Sequence, residues 1–184
     1  MHLDLAAALT VGLDQIAGSP ADGGPIELIV CRPAIGERRV LTEATLDEVQ
    51  GLVGDSWTDR PSSRTPDRTP HPLMQVTLMS SRVAALVAGP VERWPLAGDQ
   101  LYVDLDLSEQ NLPAGTRLTL GGAVLEITDQ PHRGCAKFGS RYGEDATRFV
   151  NAPETAGLRL RGVNSRVVES GLVRTGDLVT KQTG

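Results

Sequence analysis

The chain has 184 residues, of which 40% are hydrophobic, 22% charged and 3% aromatic, and its formal net charge is −5. This predicts one soluble domain over residues 1–184, with no membrane partner because no apolar run approaches the roughly 18–20 residues of a membrane span. The acidic balance and the few aromatic side chains argue against a nucleic-acid partner, and two cysteines are too few for a disulfide framework, which predicts a cytoplasmic location.

The N-terminal part of the chain predicts two short helices and a strand pair. Apolar residues at 5, 9, 13 and 16 recur at near-helical spacing, which predicts a helix over residues 4–17. The β-branched run at 26–31 predicts a strand, paired across a turn with residues 38–41. Thr45 and Glu48 have the spacing of a capping box, which predicts a helix that runs to Val53.

Residues 56–72 form a segment of a different kind, with four prolines and three arginines, Arg60, Arg64 and Arg68. The prolines forbid a continuous helix, so the regular spacing of the arginines does not define a helical face. A loop of this length within a compact domain is either a mobile, solvated segment or a functional flap. The sequence leaves both interpretations open, including a flap that contacts a cofactor.

The rest of the chain predicts more strands than helices. A Gly-Gly pair at residues 121–122 indicates a tight hairpin, because glycine supplies the positive φ angles that such a turn requires. The predicted elements are strand 73–79, helix 81–87, strand 101–107, hairpin strands 117–120 and 123–128, helix 144–150, and strands 158–163 and 178–181, with residues 167–168 between the last two. The predicted fold is therefore of the mixed α/β (α+β) class, a mainly antiparallel β-barrel-like sheet with a few peripheral helices.

Charge is distributed unevenly along the sequence. Residues 1–131 contain 18 acidic and nine basic residues, whereas residues 132–174 contain eight basic and four acidic ones. A basic segment in an otherwise acidic chain predicts a local anion site.

Cys135 is the candidate reactive residue, because it lies in a Pro- and Gly-bounded loop two positions from both Arg133 and Lys137. Nearby positive charge favours the thiolate, so this thiol is predicted to be a nucleophile or a metal ligand; a packed, structural cysteine is the alternative. Cys31 follows three apolar residues and is predicted to be a core residue. His132 alone completes neither a zinc site nor a cysteine–histidine hydrolase centre.

Several segments in this order resemble one known family, the MOSC domain of molybdenum cofactor sulfurases, which also occurs in small stand-alone bacterial proteins. They are residues 111–118, the Gly121-Gly122 hairpin, residues 125–128, Cys135-Ala136-Lys137 and residues 174–179. The resemblance covers residues 73–179 best. The chain departs from the family pattern at His71-Pro72, where many stand-alone members have His-Gly-Gly, and has one extra residue before Asn111-Leu112.

The resemblance implies a β-barrel-rich fold in which Cys135 either ligates the molybdenum of a molybdenum cofactor (molybdopterin) or carries a sulfane sulfur. Related enzymes reduce N-hydroxylated substrates, so the implied partners are a small-molecule substrate with a redox partner, or a cysteine-desulfurase-like sulfur donor. Cationic and polar groups would hold the pterin phosphate, and the residues predicted for this role are Asn111, Arg133, Lys137, Arg159, Arg161 and Arg166. A non-catalytic module that binds an anionic metabolite, with a structural cysteine, is the alternative from another class.

Overall fold

The structure is a computed structural model that describes residues 5–183, and the side chains of residues 11–183. The helices are α1 (Leu5–Ala17), α2 (Ser81–Ala88), α3 (Ala136–Tyr142) and α4 (Glu144–Val150). The strands are β1 (Gly24–Cys31), β2 (Arg39–Leu41), β3 (Glu43–Asp47), β4 (Gly51–Leu52), β5 (Val76–Ser80), β6 (Leu101–Val103), β7 (Arg117–Leu120), β8 (Ala123–Ile127), β9 (Val163–Glu169), β10 (Gly171–Arg174) and β11 (Leu178–Lys181). Short 3₁₀ helices span Ser56–Asp59, Pro72–Met74, Val91–Ala97 and Pro153–Leu158.

Seven of the strands close into a barrel in the order β1, β6, β5, β9, β8, β7, β11 and back to β1. Neighbouring strands are antiparallel except β5 and β6, which are parallel and are connected through α2. Closure brings distant parts of the sequence together, since Gly24 lies opposite Val179. The predicted barrel-like, mainly antiparallel sheet with peripheral helices is confirmed.

Apolar side chains fill the barrel, as in other small barrels whose interiors have room for side chains alone. Ile29, Leu78 and Leu101 alternate with outward-facing neighbours and are fully buried in this interior cluster. A second sheet, formed by β10, β3 and β4, contributes Leu46 and Leu52 to the same cluster. The second sheet therefore shares the core of the barrel.

A second core joins the helices to the outside of the barrel. Val30, Met79 and Tyr102 each follow an inward-facing residue and pack with side chains of the helices and the 3₁₀ helices. The hydroxyl of Tyr102 donates to the Trp94 carbonyl oxygen at 2.6 Å, so its polar end is satisfied. Phe138 of α3 is also buried here, which fixes that helix against the barrel. Within residues 5–183, no helix has the length and apolar character required to cross a membrane.

A buried ion pair fixes the end of β1. Arg32 donates to both carboxylate oxygens of Asp55, at 2.8 Å each, and its backbone N–H donates to the same carboxylate at 2.9 Å. The Asp55 side chain is fully buried and that of Arg32 is 9% exposed. Asp55 also accepts from the backbone N–H of Trp57, so the pair connects β1 to the start of residues 56–72.

The predicted helix over residues 45–53 is wrong. Residues 43–47 form β3, whose Ala44 and Leu46 point into the core while the strand pairs with β10. The Asp47 carboxylate accepts from the backbone N–H groups of Val49 and Gln50, so it stabilises a turn. Pairing with a distant strand therefore overrides the local capping pattern.

Two predicted strands differ in extent from those observed. The strand predicted over 101–107 ends at Val103, although Leu105 and Leu107 are still buried. These two leucines therefore pack into the core from a segment that does not pair with a neighbouring strand. The strand predicted over 158–163 is wrong, because a 3₁₀ helix ends there with Arg159 at φ 50°. Strand β9 begins at Val163 and contains residues 167–168. Neither β10 nor α3 is predicted from the sequence.

The remaining predicted elements are confirmed with small shifts of their boundaries. The helix predicted over residues 4–17 is α1, with residue 4 outside the described range, and the strand pair 26–31 and 38–41 corresponds to β1 and β2. The helices at 81–87 and 144–150, the hairpin across Gly121-Gly122 and the strand at 178–181 are all present. The strand at 73–79 begins at Val76, after a 3₁₀ turn.

Candidate functional site

The loop that carries Cys135, here called the cysteine loop (residues 129–135), connects β8 to α3. The Asn151 amide binds it at Gly134 through two hydrogen bonds of 2.9 Å, one to the backbone N–H and one to the carbonyl. A Cβ at Gly134 would lie 2.9 Å from Val150 Cγ2, so the loop approaches α4 closely. Asn151 is a positioning residue that sequence analysis missed, because no motif links it to a loop 17 residues earlier.

The Cys135 side chain is exposed, and Cys135 is the N-cap residue that immediately precedes α3. Partial burial acts to raise the pKa of its thiol, but the backbone N–H groups of Phe138 and Lys137 and the charge of Arg161 together lower it below its ordinary value. The direction agrees with the sequence prediction. The cause differs, because helical N–H groups and Arg161, not the flanking Arg133 and Lys137 side chains, favour the thiolate.

Cys31 has the opposite environment. It is buried, and burial together with Asp55 raises the pKa of its thiol. The prediction that Cys31 is a core residue is confirmed.

Two adjacent cavities flank the cysteine loop. The first, called the basic cavity, has a volume of about 420 Å³, and its wall includes His132, Arg133, Arg159, Arg161 and Asn164. The second, called the cysteine cavity, is about 880 Å³ and lies between α3, α4 and the following 3₁₀ helix, with Cys135 in its wall. Asn151 and Pro153 line both cavities, so thiol and cations lie on two sides of a shared wall.

Arg161 is a buried residue that lines the basic cavity. One terminal nitrogen lies 2.5 Å from the carboxylate of the fully buried Asp99, and the other donates to the Ala97 carbonyl. Its guanidinium also stacks over the Phe138 ring at 5.0 Å. Nε of Arg161 and Oδ1 of Asn164 are buried and have no hydrogen-bond partner among the described residues, and both residues line the basic cavity.

His132 lies in the wall of the basic cavity beside the same aspartate. Its Nδ1 is 3.5 Å from Asp99 Oδ1, too far for a hydrogen bond of normal geometry. Burial and the positive charge of Arg161 lower the pKa of His132 to about 3, although Asp99 opposes the shift. His132 is therefore neutral near pH 7, and it donates no net charge to the cavity.

This shift makes stability depend on pH. Between pH 6.5 and about 3 the unfolded chain binds a proton at His132 that the folded chain does not, so stability falls as pH decreases. From pH 7 to pH 5 the contribution of this group is roughly 2 kcal/mol. We expect the wild type to lose more unfolding free energy than His132→Gln over this interval, measured by guanidinium titration. Equal losses in the two proteins would contradict the prediction.

The structure brings together three of the six residues predicted to hold a phosphate. Arg133, Arg159 and Arg161 line the basic cavity. Arg159 also donates to the Leu112 carbonyl at 2.7 Å. Lys137 is exposed on α3 and lines neither cavity.

The other two side chains form contacts elsewhere on the barrel. Asn111 donates to the carbonyls of Ala21 and Asp106 and accepts from Lys181, which ties loops near the barrel closure. Arg166 forms an ion pair with Glu126 on the neighbouring strand at 2.8 Å. Both sets of contacts are structural, and neither residue lines the basic cavity.

The segment 56–72 packs on the cysteine loop. Arg64 donates to the Pro131 carbonyl at 3.3 Å and contacts the Met74 sulfur at 3.7 Å. Pro131 lines the basic cavity, so the segment 56–72 has the position of a flap beside that cavity. In the part of the chain that the structure describes, no group of three or more histidine, cysteine, aspartate or glutamate side chains is arranged to hold a metal ion.

Comparison with known proteins gives matches to one family and to several solved structures. The sequence model of the MOSC domain family matches residues 76–180 of this chain. The YuaD protein from Bacillus subtilis is similar with a TM-score of 0.58 and 20% identity, over 85% of this chain and 93% of that one. YiiM from Escherichia coli is similar with a TM-score of 0.55 and 18% identity, over 87% and 70% of the two chains. These likenesses show a shared fold, and no curated protein sequence matches significantly.

Proposed function

Because the chain belongs to the MOSC domain family, we propose that it binds a molybdenum cofactor, with the Cys135 thiolate as a metal ligand. In this proposal the basic cavity holds the phosphate of the cofactor. The observation that carries the proposal is the position of Cys135. An exposed thiol with a lowered pKa shares a wall with a cavity lined by three arginines.

The residues present fit such a cofactor chemically. A thiolate is a soft ligand that suits a thiophilic metal, and guanidinium groups match phosphate oxygens in geometry and charge. Arg161 has an unused N–H and Asn164 an unused carbonyl oxygen, both in the wall of the basic cavity. Unpartnered buried polar atoms are costly, and both residues line the cavity in which the phosphate would lie.

When bound, the cofactor would supply a metal centre able to exchange two electrons, while the protein supplies position and charge. Asn151 holds the cysteine loop against α4 through Gly134. The N–H groups in the first turn of α3 and the charge of Arg161 lower the pKa of the Cys135 thiol, which favours its thiolate form. The Asp99 carboxylate lies 3.5 Å from Nδ1 of His132, whose lowered pKa keeps the imidazole neutral in the wall of the basic cavity.

N-hydroxylated organic molecules are the substrates that we infer for this site, with a separate redox partner as the source of electrons. The cysteine cavity supports a small organic substrate, because Ala136, Gly139, Ala152 and Pro153 contribute small or apolar wall groups beside Cys135. Both cysteines are free, in keeping with the reducing cytoplasm as the location.

The test is the molybdenum and pterin content of protein purified from a host that makes the cofactor. We expect stoichiometric molybdenum in the wild type and at least a tenfold lower content in Cys135→Ser, because a hydroxyl is a poor ligand for a soft metal. Cys31→Ala is the matched control and should retain the metal, since Cys31 lies in the core. Absence of molybdenum from the wild type, or equal content in Cys135→Ser, would overturn the proposal.

A sulfur carrier is the second candidate, and the exposure and lowered pKa of Cys135 favour it as well. A thiolate can attack the outer sulfur of a persulfide donor, such as a cysteine desulfurase, and the donor leaves as its own thiolate. Intact-mass measurement of the same preparations separates the candidates. Wild type without molybdenum but with the added mass of one sulfur atom at Cys135 would favour the carrier.

A further inference from the structure

A third cavity lies between the end of α1, the start of α2, the segment after β6 and the 3₁₀ helix Pro153–Leu158. Its volume is about 590 Å³, which is within the range of small-molecule sites. The Asp106 N–H donates to the Pro20 carbonyl at 2.9 Å, and the Glu109 N–H donates to the Gly157 carbonyl at 2.8 Å. Because these backbone bonds join three of the bordering segments, the fold itself holds the walls of the cavity in place.

Two serines line this cavity, Ser19 and Ser80, and we therefore call it the serine cavity. The hydroxyl oxygens of both are buried and have no hydrogen-bond partner among the described residues, and Ser80 is only 5% exposed. Ser80 is the N-cap residue of α2, a position where a serine hydroxyl usually accepts from a helical N–H, yet it forms no such bond. Since no hydrogen bond fixes the Ser80 rotamer, rotation about χ1 can turn this hydroxyl towards a ligand in the cavity.

Much of the remaining wall is apolar. Ile16 and Val83 come from α1 and α2, and Leu105 and Leu107 come from the segment after β6. Each of these side chains is at most 9% exposed, and they belong to the two hydrophobic cores. A ligand with a short hydrocarbon part would contact these side chains, and burial of that part favours binding.

The charged groups that line the serine cavity are all acidic in the part of the chain that the structure describes. They are Asp106, Glu109 and Glu154. Among the described residues, Asp106 and Glu154 form no ion pair, and the nearest cation to Glu109 is Arg159 at 3.8 Å. Oδ1 of Asp106 accepts from the Ser108 N–H at 2.9 Å, and Oδ2 accepts from no described residue. The wall therefore attracts a cation and repels an anion, which is the opposite of the basic cavity.

We propose that the serine cavity binds a small organic amine in its protonated form. An ammonium group has three donors and no acceptor, which matches the Asp106 carboxylate and the two serine hydroxyls as acceptors. A metal ion is a poorer match, because no group of three metal-ligating side chains within the described residues is arranged to hold one. Glu109 also lines the basic cavity and Glu154 the cysteine cavity, so the amine lies beside the candidate site without occupying it.

Hexylamine, which is protonated at pH 7, is the probe, titrated into the full-length protein while the backbone amide signals are followed by two-dimensional NMR. 1-Hexanol and hexanoate are the comparison ligands, because they carry a neutral or an anionic group on the same hydrocarbon chain. We expect hexylamine to bind saturably and to shift the amide signals of Ser80 and Asp106. 1-Hexanol should bind roughly 5- to 20-fold more weakly, since a charge-assisted hydrogen bond is stronger than a neutral one, and hexanoate should not bind.

Two substitutions test the contacts to the amine. Asp106→Asn keeps an oxygen that can accept from the Ser108 N–H but removes the charge, so the Kd for hexylamine should be roughly 10-fold weaker. Ser80→Ala removes a hydroxyl that has no protein partner, so it should weaken binding by about threefold or more while the melting temperature stays that of the wild type. Glu169→Gln is the matched control for charge, because Glu169 is exposed at the end of β9 and lines none of the three cavities.

The proposal is overturned if hexylamine does not bind saturably, which is the result expected of a cavity that holds only water. Shifted signals that all lie outside the serine cavity, or equally tight binding of 1-hexanol or hexanoate, would also overturn it. So would hexylamine binding in both Asp106→Asn and Ser80→Ala that equals binding in Glu169→Gln, once thermal melting has verified that each variant is folded. Cys135→Ser should bind hexylamine like the wild type, so a failure of the molybdenum proposal leaves this result unaffected.

Discussion

Arg32→Met is expected to lower the free energy of unfolding by about 3–5 kcal/mol, because it removes one partner of a buried ion pair. The Asp55 carboxylate would remain fully buried without the two side-chain hydrogen bonds that Arg32 now donates. Two backbone donors, the N–H groups of Arg32 and Trp57, cannot compensate for the lost charge. Urea or guanidinium unfolding of both proteins measures the difference.

Arg117→Met provides the comparison for this prediction. Arg117 pairs with Glu126 at 3.3 Å, and its side chain is 50% exposed, so the loss should be at most about 1 kcal/mol. Both variants replace an arginine by a flexible apolar side chain, but Arg32→Met leaves the fully buried Asp55 without a cationic partner, whereas Glu126 keeps its ion pair with Arg166. Similar losses in the two variants would show that burial of the Arg32–Asp55 pair does not determine its contribution.

Gly162→Ala is the second substitution with a large expected effect, a loss of roughly 2–5 kcal/mol from steric overlap and backbone strain together. A Cβ at this position would lie 2.2 Å from the Leu78 carbonyl oxygen, and the backbone has φ +108°. The neighbouring atom belongs to β5, so it cannot move without breaking the β5–β9 pairing. Because Gly162 also lines the basic cavity, the shape of that cavity should change as well.

The matched control is Gly157→Ala, a few residues earlier in the chain. No atom lies within 4 Å of the Cβ that this change would add, and the backbone there is not in the positive-φ region. We expect unfolding free energy within about 1 kcal/mol of the wild type, since alanine restricts the unfolded chain without a clash. Melting temperatures of the two variants compare the positions directly, and a loss at Gly157 equal to that at Gly162 would refute the steric argument.

The sequence predicts those elements whose signals are local. The Gly121-Gly122 hairpin joins strands that are adjacent in the chain, so its pattern and its structure share the same few residues. Thr45 and Glu48 show the limit of such signals. Their spacing is typical of a helix start, yet the backbone N–H of Glu48 bonds the Ser170 hydroxyl, 122 residues away, and the segment becomes a strand because β10 offers a partner.

The candidate site also contains some residues that local sequence patterns identify and others that they do not. Cys135 is recognisable because its glycine and its charged neighbours are adjacent in sequence. Asp99 is not, because its partner Arg161 is 62 residues away and no motif connects them. Arg166 is predicted to bind an anion from its position in a basic segment, and the structure pairs its guanidinium with Glu126 on the neighbouring strand. Counting charges along a chain cannot show on which face of a sheet each one lies.

The pairing of Gly24 with Val179 has a consequence for synthesis of the protein on the ribosome. A growing chain can form the β7–β8 hairpin early, because only two residues separate these strands. The free edges of β1 and β7 stay open until residues 178–181 emerge and β11 fills the gap between them. Unpaired strand edges invite association with other chains, so chaperone dependence should be greatest just before the last barrel strand is translated.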